Sequence, residues 1–142
     1  MPQALRGGAL RREFSSDLAL LAARLLIAIL FLAGAAQKFL SPGDAMALLA
    51  MQNLPQALVW PALIVNAVAG VMLVLGVRIR PLALLLAAYC GATSFFHLIP
   101  DDPWQMSIFV KNWSITGGCL ALAVAGSGRL ALLPDKAIAP PR

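Results

Sequence analysis

Five side chains in this sequence interrupt runs of aliphatic residues: Lys38, Asn66, His97, Lys111 and Asn112. An ammonium offers charge and donors, an amide offers a donor and an acceptor, and an imidazole exchanges a proton near neutral pH. Gathered in one place, such a set would attract a polar headgroup with acceptor oxygens, whether a quinone carbonyl pair, a sulfur oxyanion or a lipid phosphate. His97, the one histidine of the chain, is then the candidate catalytic residue, able to carry a proton to a reduced quinone. Lys38, Lys111, Asn112 and Asn66 are the candidate substrate-binding residues. Cys90 and Cys119 form a candidate redox pair, weighed against the reading that each is a small packing residue.

Four apolar runs must position these groups: roughly 18–40, 57–77, 81–99 and 107–126. Each approaches the ~20 residues that a helix needs to cross a hydrocarbon core of about 30 Å. None shows the period-2 alternation of a barrel strand. The composition agrees, with 61% hydrophobic and 12% charged residues and a mean hydropathy of +0.84. Soluble domains carry roughly twice that charged fraction. The expected fold is an all-α integral membrane four-helix bundle with a short interfacial helix in "DAMALLAMQNL", between the first and second spans. One domain, 18–132, follows a cytoplasmic tail at 1–17 and precedes a disordered, proline-rich cytoplasmic tail at 133–142.

Arginine and lysine set the orientation. Arg6, Arg11, Arg12, Arg78, Arg80, Arg129, Lys136 and Arg142 fall on the side of the termini, and the loops 41–56 and 100–106 hold no basic residue. Both termini are expected in the cytoplasm, with Trp60 and Trp104 at the outer boundary. The start resembles a twin-arginine signal, but its apolar stretch is too long and contains Arg24, so the first span is expected to be retained. The net charge of +5 does not indicate nucleic acid, because no polar element gathers the basic residues.

Helical spacing gives each span one polar face. Arg24, Phe31 and Lys38 share a stripe in the first, and Cys90, Ser94 and His97 share one in the third. Counting at 1.5 Å per residue puts Lys38 and His97 within one turn of the outer boundary. Lys111 and Asn112 follow about 6–8 Å into the fourth span, and Asn66 sits beneath them. The competing reading has Lys38 and Lys111 snorkelling outward to Asp44, Asp101 or Asp102, with His97 merely capping its helix. Arg24 is expected to snorkel to the inner boundary, toward Asp17. Small residues such as Gly34, Gly70, Gly91, Gly117 and Gly118 are read as helix contacts.

Motifs for metal, haem or flavin are not apparent: there is no CxxC or CxxCH, and one histidine cannot supply bis-histidine ligation. A transporter is the least favoured class, since four helices show no inverted repeat.

From Arg24 to Leu132 the chain resembles the DoxX family of small four-helix bacterial membrane proteins. The resemblance rests on "RLLIAILFLAGAAQKFL", "NLP", "VNAVAGVMLVLGVRIRPLALLLA", "FFHLIP" and "FVKNWSITGGCLALAVAGSGRLAL". It implies a multi-pass protein of the bacterial plasma membrane, in a family often catalogued with oxidoreductases. Some relatives are similar to the membrane subunit of a thiosulfate:quinone oxidoreductase, and remote ones to assembly chaperones and cargo receptors. Lys38, His97, Lys111 and Asn112 match family positions; relatives commonly carry glutamate where this chain has Asn66. The expectation is a membrane subunit of a quinone-linked oxidoreductase system, with quinone as ligand, lipid around it and a protein partner supplying electrons. Whether the subunit is itself catalytic, and whether it is a homo-oligomer, are left open. The alternative is a non-enzymatic accessory protein for assembly or trafficking.

Overall fold

The computed structural model describes residues 3–135, with side chains from Glu13 onward. It contains five α-helices: α1 (Gln3–Leu40), α2 (Pro42–Met51), α3 (Val59–Leu75), α4 (Ile79–Ser94) and α5 (Pro103–Ala125). A 3-10 turn, Gln56–Leu58, leads into α3, and another, Phe95–His97, ends α4. Four stretches are long and apolar enough to span a bilayer: Glu13–Leu40, Gln56–Leu75, Ile79–His97 and Pro103–Ala125. The described residues hold no strand, only an isolated bridge between Val77 and Leu133.

The helices associate as two pairs. α1 packs along α3 and α4 along α5, while the α1–α5 and α3–α4 seams are thinner. Short links between α3 and α4 and between α4 and α5 force antiparallel neighbours. Four crossings return the two ends of the described residues to one side, called here the terminal end. The other is the distal end, where Trp60 and Trp104 stand exposed. Ala28, Phe31, Leu73, Ile79, Leu86, Cys119 and Leu122 form the core. Leu26, Ile29, Leu85 and Val124 point outward, as lipid-facing side chains do.

Local chemistry explains each turn. Asp102 caps α5, its carboxylate accepting from Trp104 N (2.9 Å) and Gln105 N (3.2 Å), with Pro103 in the first turn, where no amide hydrogen is missed. The acidic turn therefore starts α5 at Pro103, four residues before the start at 107 that hydropathy suggested. Gly76 (φ 73°) ends α3, its N–H donating to Met72 O at 2.9 Å. A Cβ there would collide with Arg24 Nη1, so glycine serves both the left-handed turn and the arginine behind it.

Several sequence expectations change at the terminal end. Arg24 does not meet Asp17. It is fully buried, and its Nη2 donates to Leu130 O. Asp17 instead accepts from Arg129 N (2.9 Å) and Arg129 Nε (2.6 Å), while Arg129 also pairs with exposed Glu13 at 3.3 Å. The hydrogen bond and charge of Asp17 raise the Arg129 pKa above its ordinary value. Residues 126–135 form a strap across this end. Leu132 N donates to Leu75 O (2.8 Å), and Asp135 accepts from Ser127 N (3.1 Å) and Arg80 N (3.3 Å). Residues 133–135, counted with the tail in the sequence reading, are thus tied down, and 136–142 lie outside the described residues. Helix α1 likewise runs through the segment read as an N-terminal tail.

The glycines divide as well. Gly34 and Gly70 are close-packed against Asn66 and Leu32, but a Cβ on Gly117 would meet nothing within 4 Å. The reading of Gly117 as a helix contact within the chain is therefore corrected: α5 turns that face outward.

Candidate functional site

A cavity of about 790 Å³ opens at the distal end. It is lined by α1, α3, α4 and α5, with α2 laid alongside through Asp44, Ala45, Leu48 and Met51. The short helix expected between the first two spans is present, and it buries Leu49 against the bundle.

Lys38, Asn66, His97, Lys111, Asn112 and Cys90 all line this one cavity. Lys111 does so from an exposed position, whereas Lys38, His97 and Asn112 are partly buried and Asn66 is 5% exposed. Cys119 is not among the lining residues; it is fully buried in the core, and both thiols are free. Because α5 begins at Pro103, Lys111 and Asn112 lie about two turns, roughly 12 Å, along it, close to the depth of Asn66 rather than above it.

The direction of Lys38 is the least expected feature. It stands in the last turn of α1, where a lysine ordinarily stretches toward water. Instead its ammonium turns back toward the bundle interior and donates to Gly34 O at 3.3 Å. With the Asn66 amide oriented to satisfy both its atoms, Oδ1 accepts from Lys38 Nζ at 3.1 Å. Nδ2 of the same amide donates to Tyr89 Oη (3.1 Å) and Ala62 O (3.3 Å). Gly34 makes room: a Cβ there would lie 2.8 Å from the Asn66 amide atom that, in this orientation, is the oxygen facing Lys38. Lysine, asparagine and tyrosine from three helices thus form one connected network at the cavity wall.

His97 belongs to a second network. Its Nδ1 lies 2.7 Å from Gln105 Oε1, and the Gln105 N–H is held in turn by the Asp102 cap. Asp44 and Asp102 also line the cavity, yet among the described residues the ion pairs are those of Arg129 with Glu13 and Asp17. The proposed pairing of Lys38 and Lys111 with Asp44, Asp101 or Asp102 is therefore not formed. Among the described residues no group of three His, Cys, Asp or Glu side chains stands together as a metal site.

Sequence reasoning missed Tyr89 and Gln105. Tyr89 is the chain's only tyrosine and directly precedes Cys90, so its place on the inward-facing arc was readable. Gln105 was hidden by the late start assigned to the fourth span. Chemically, the cavity sets Lys38, Tyr89, Lys111 and Asn112 as donors, and Asp44 and Asp102 as acceptors, among apolar side chains such as Leu30, Phe31, Val59 and Ile108, a mixture that suits a small-molecule site.

Comparison with known families matches DoxX over residues 19–98. That match covers α2, α3, most of α1 and α4 with the turn to His97, and stops before α5. No curated protein and no solved structure shows a significant match. With more than half of the chain matched and four membrane-length helices in place, the protein belongs to the DoxX family and is a multi-pass integral membrane protein.

Proposed function

We propose that the protein is the membrane subunit of a quinone-linked oxidoreductase system and holds the quinone headgroup in the distal cavity. The observation that carries this reading is the inward turn of Lys38. An ammonium hydrogen-bonded to two neutral acceptors, rather than released to water, carries an unmet desolvation cost that a ligand oxygen would offset. The cavity volume of about 790 Å³ falls within the roughly 300–1,000 Å³ of small-molecule sites. A ring with two oxygens suits its mixture of apolar wall and separated polar groups. His97 serves as the proton-exchanging group, Lys38, Lys111, Asn112 and Asn66 bind the headgroup oxygens, and electrons come from a protein partner.

The distribution of Arg78, Arg80 and Arg129 at the terminal end supports a bacterial plasma-membrane protein with both termini cytoplasmic, which puts the cavity toward the outer leaflet.

Mass spectrometry of the detergent-extracted protein for co-purified quinone, lipid and protein tests the reading. Bound quinone, and titration with a short-tail benzoquinone that weakens about tenfold or more in Lys38→Met, is the expected result. If no quinone co-purifies or binds, and a membrane protein partner is recovered instead, the accessory role in assembly or trafficking takes its place.

A further inference from the structure

The hydrogen bond between His97 and Gln105 fixes more than the position of the ring. Gln105 Oε1 is an acceptor, so at 2.7 Å the hydrogen between the two resides on His97 Nδ1. A neutral imidazole with Nδ1 protonated has a lone pair on Nε2, and among the described residues the hydrogen bond of the ring is the one at Nδ1. The Gln105 backbone is anchored by Asp102 Oδ1 at 3.2 Å, in the first turn of α5, which keeps the amide against the ring. The other polar network on the cavity wall has the opposite character. Asn66 donates to Tyr89 Oη, which leaves the Tyr89 hydroxyl hydrogen for another acceptor, and Lys38 retains a third ammonium hydrogen beyond Gly34 O and Asn66.

We infer that Gln105 is a positioning residue that holds His97 in the Nδ1–H tautomer, so that the cavity selects a headgroup presenting a hydroxyl to Nε2 and an acceptor oxygen to Lys38 and Tyr89. This rests on the reading of the cavity as a headgroup site and narrows its occupant. A hydroquinone carries a donor hydroxyl that a lone pair can accept, whereas a quinone brings only acceptors and would face the Nε2 lone pair unpaired. Two acceptors set against each other beneath a bound ring leave both unpaired, the same effect by which a site built for a hydroxyl rejects an analogue lacking it. The favoured redox state is therefore the hydroquinone, the form a quinone reaches once it has taken two electrons from the protein partner and two protons.

One histidine in the chain makes the test direct. In full-length protein labelled with ¹⁵N-histidine, nitrogen shifts at a pH where the ring is neutral should report Nδ1–H. Anaerobic titration with a short-tail benzohydroquinone and with its benzoquinone should give at least a fivefold preference for the reduced ring. Gln105→Met removes the acceptor; its nitrogen signals should move toward a tautomer mixture and the preference should fall toward unity, with the thermal midpoint reporting the fold. An Nε2–H signature in the wild-type protein overturns the inference, as does a preference for the oxidised ring. If neither ring binds, the headgroup reading fails, and the nitrogen shifts still decide the tautomer independently.

Discussion

The Lys38 ammonium and the Asn66 amide oxygen meet at 3.1 Å across the α1–α3 interface, one turn below the end of α1. A lysine so near a helix end has an easier route to water. Its inward turn depends on three neighbours that the fold brings together: the bare Gly34 backbone, the Asn66 amide and, beyond it, Tyr89.

Lys38→Met separates binding from stability. Removing a partly buried ammonium relieves desolvation, while stranding the Asn66 oxygen opposes that gain, so unfolding stability should stay within about 1 kcal/mol of wild type. Headgroup affinity should fall about tenfold or more. Thermal unfolding in detergent and ligand titration on the same preparation check both halves; a large stability loss with unchanged affinity would make Lys38 a structural residue only.

Gly34→Ala and Gly117→Ala form a contrasting pair. The new Cβ at Gly34 lies 2.8 Å from the Asn66 amide, which is held by several partners and has little freedom to yield. A cost of about 1–3 kcal/mol and weakened ligand binding are expected. At Gly117 the Cβ meets nothing, so stability should be unchanged or rise by up to about 1 kcal/mol. Equal effects at the two positions would contradict the packing described.

Gly76→Ala should be among the most damaging single-methyl additions. The residue has φ 73°, and the Cβ would collide with both Arg24 and Ala131. Backbone strain and overpacking together suggest a loss of about 3 kcal/mol or more. In an Arg24→Met background the loss should shrink by about 1 kcal/mol or more, a coupling that a double-mutant cycle measures.

Asp17→Ala should release the strap without unfolding the bundle. The residue is buried, and its carboxylate takes two hydrogen bonds from Arg129. Hydrogen exchange at the Arg129 amide should accelerate roughly tenfold or more. Glu13→Ala removes only an exposed pair and should leave exchange nearly unchanged.

The stretch around His97 shows how much of the site could be read in one dimension. Hydropathy alone located an apolar run, an acidic break and a second run, and so brought His97 and Lys111 to one end of the bundle. It could not tell that Asp102 begins a helix at once, because capping is a backbone hydrogen bond and not a property of apolarity. The four-residue error in the start hid Gln105 and misjudged the depth of Lys111.

Arg24 and Asp17 make the same point at the other end. Charges on one helix invite a local pairing, yet each found a partner more than a hundred residues away, Leu130 and Arg129.

Hydropathy and helical spacing sufficed to define the four spans and the end of the bundle to which Lys38, His97, Lys111 and Asn112 are brought, with Asn66 read as lying beneath them. Spanning a bilayer demands about twenty apolar residues whose backbone bonds are satisfied within the segment, and both conditions are local. The packing of the helices was needed to show that Lys38 turns inward, that Asn66 links it to Tyr89, that Gln105 bonds His97, and that the strap crosses the terminal end. Those are choices of partner, and a side chain's partner depends on which helices lie beside it, a relation that spacing along one chain does not encode.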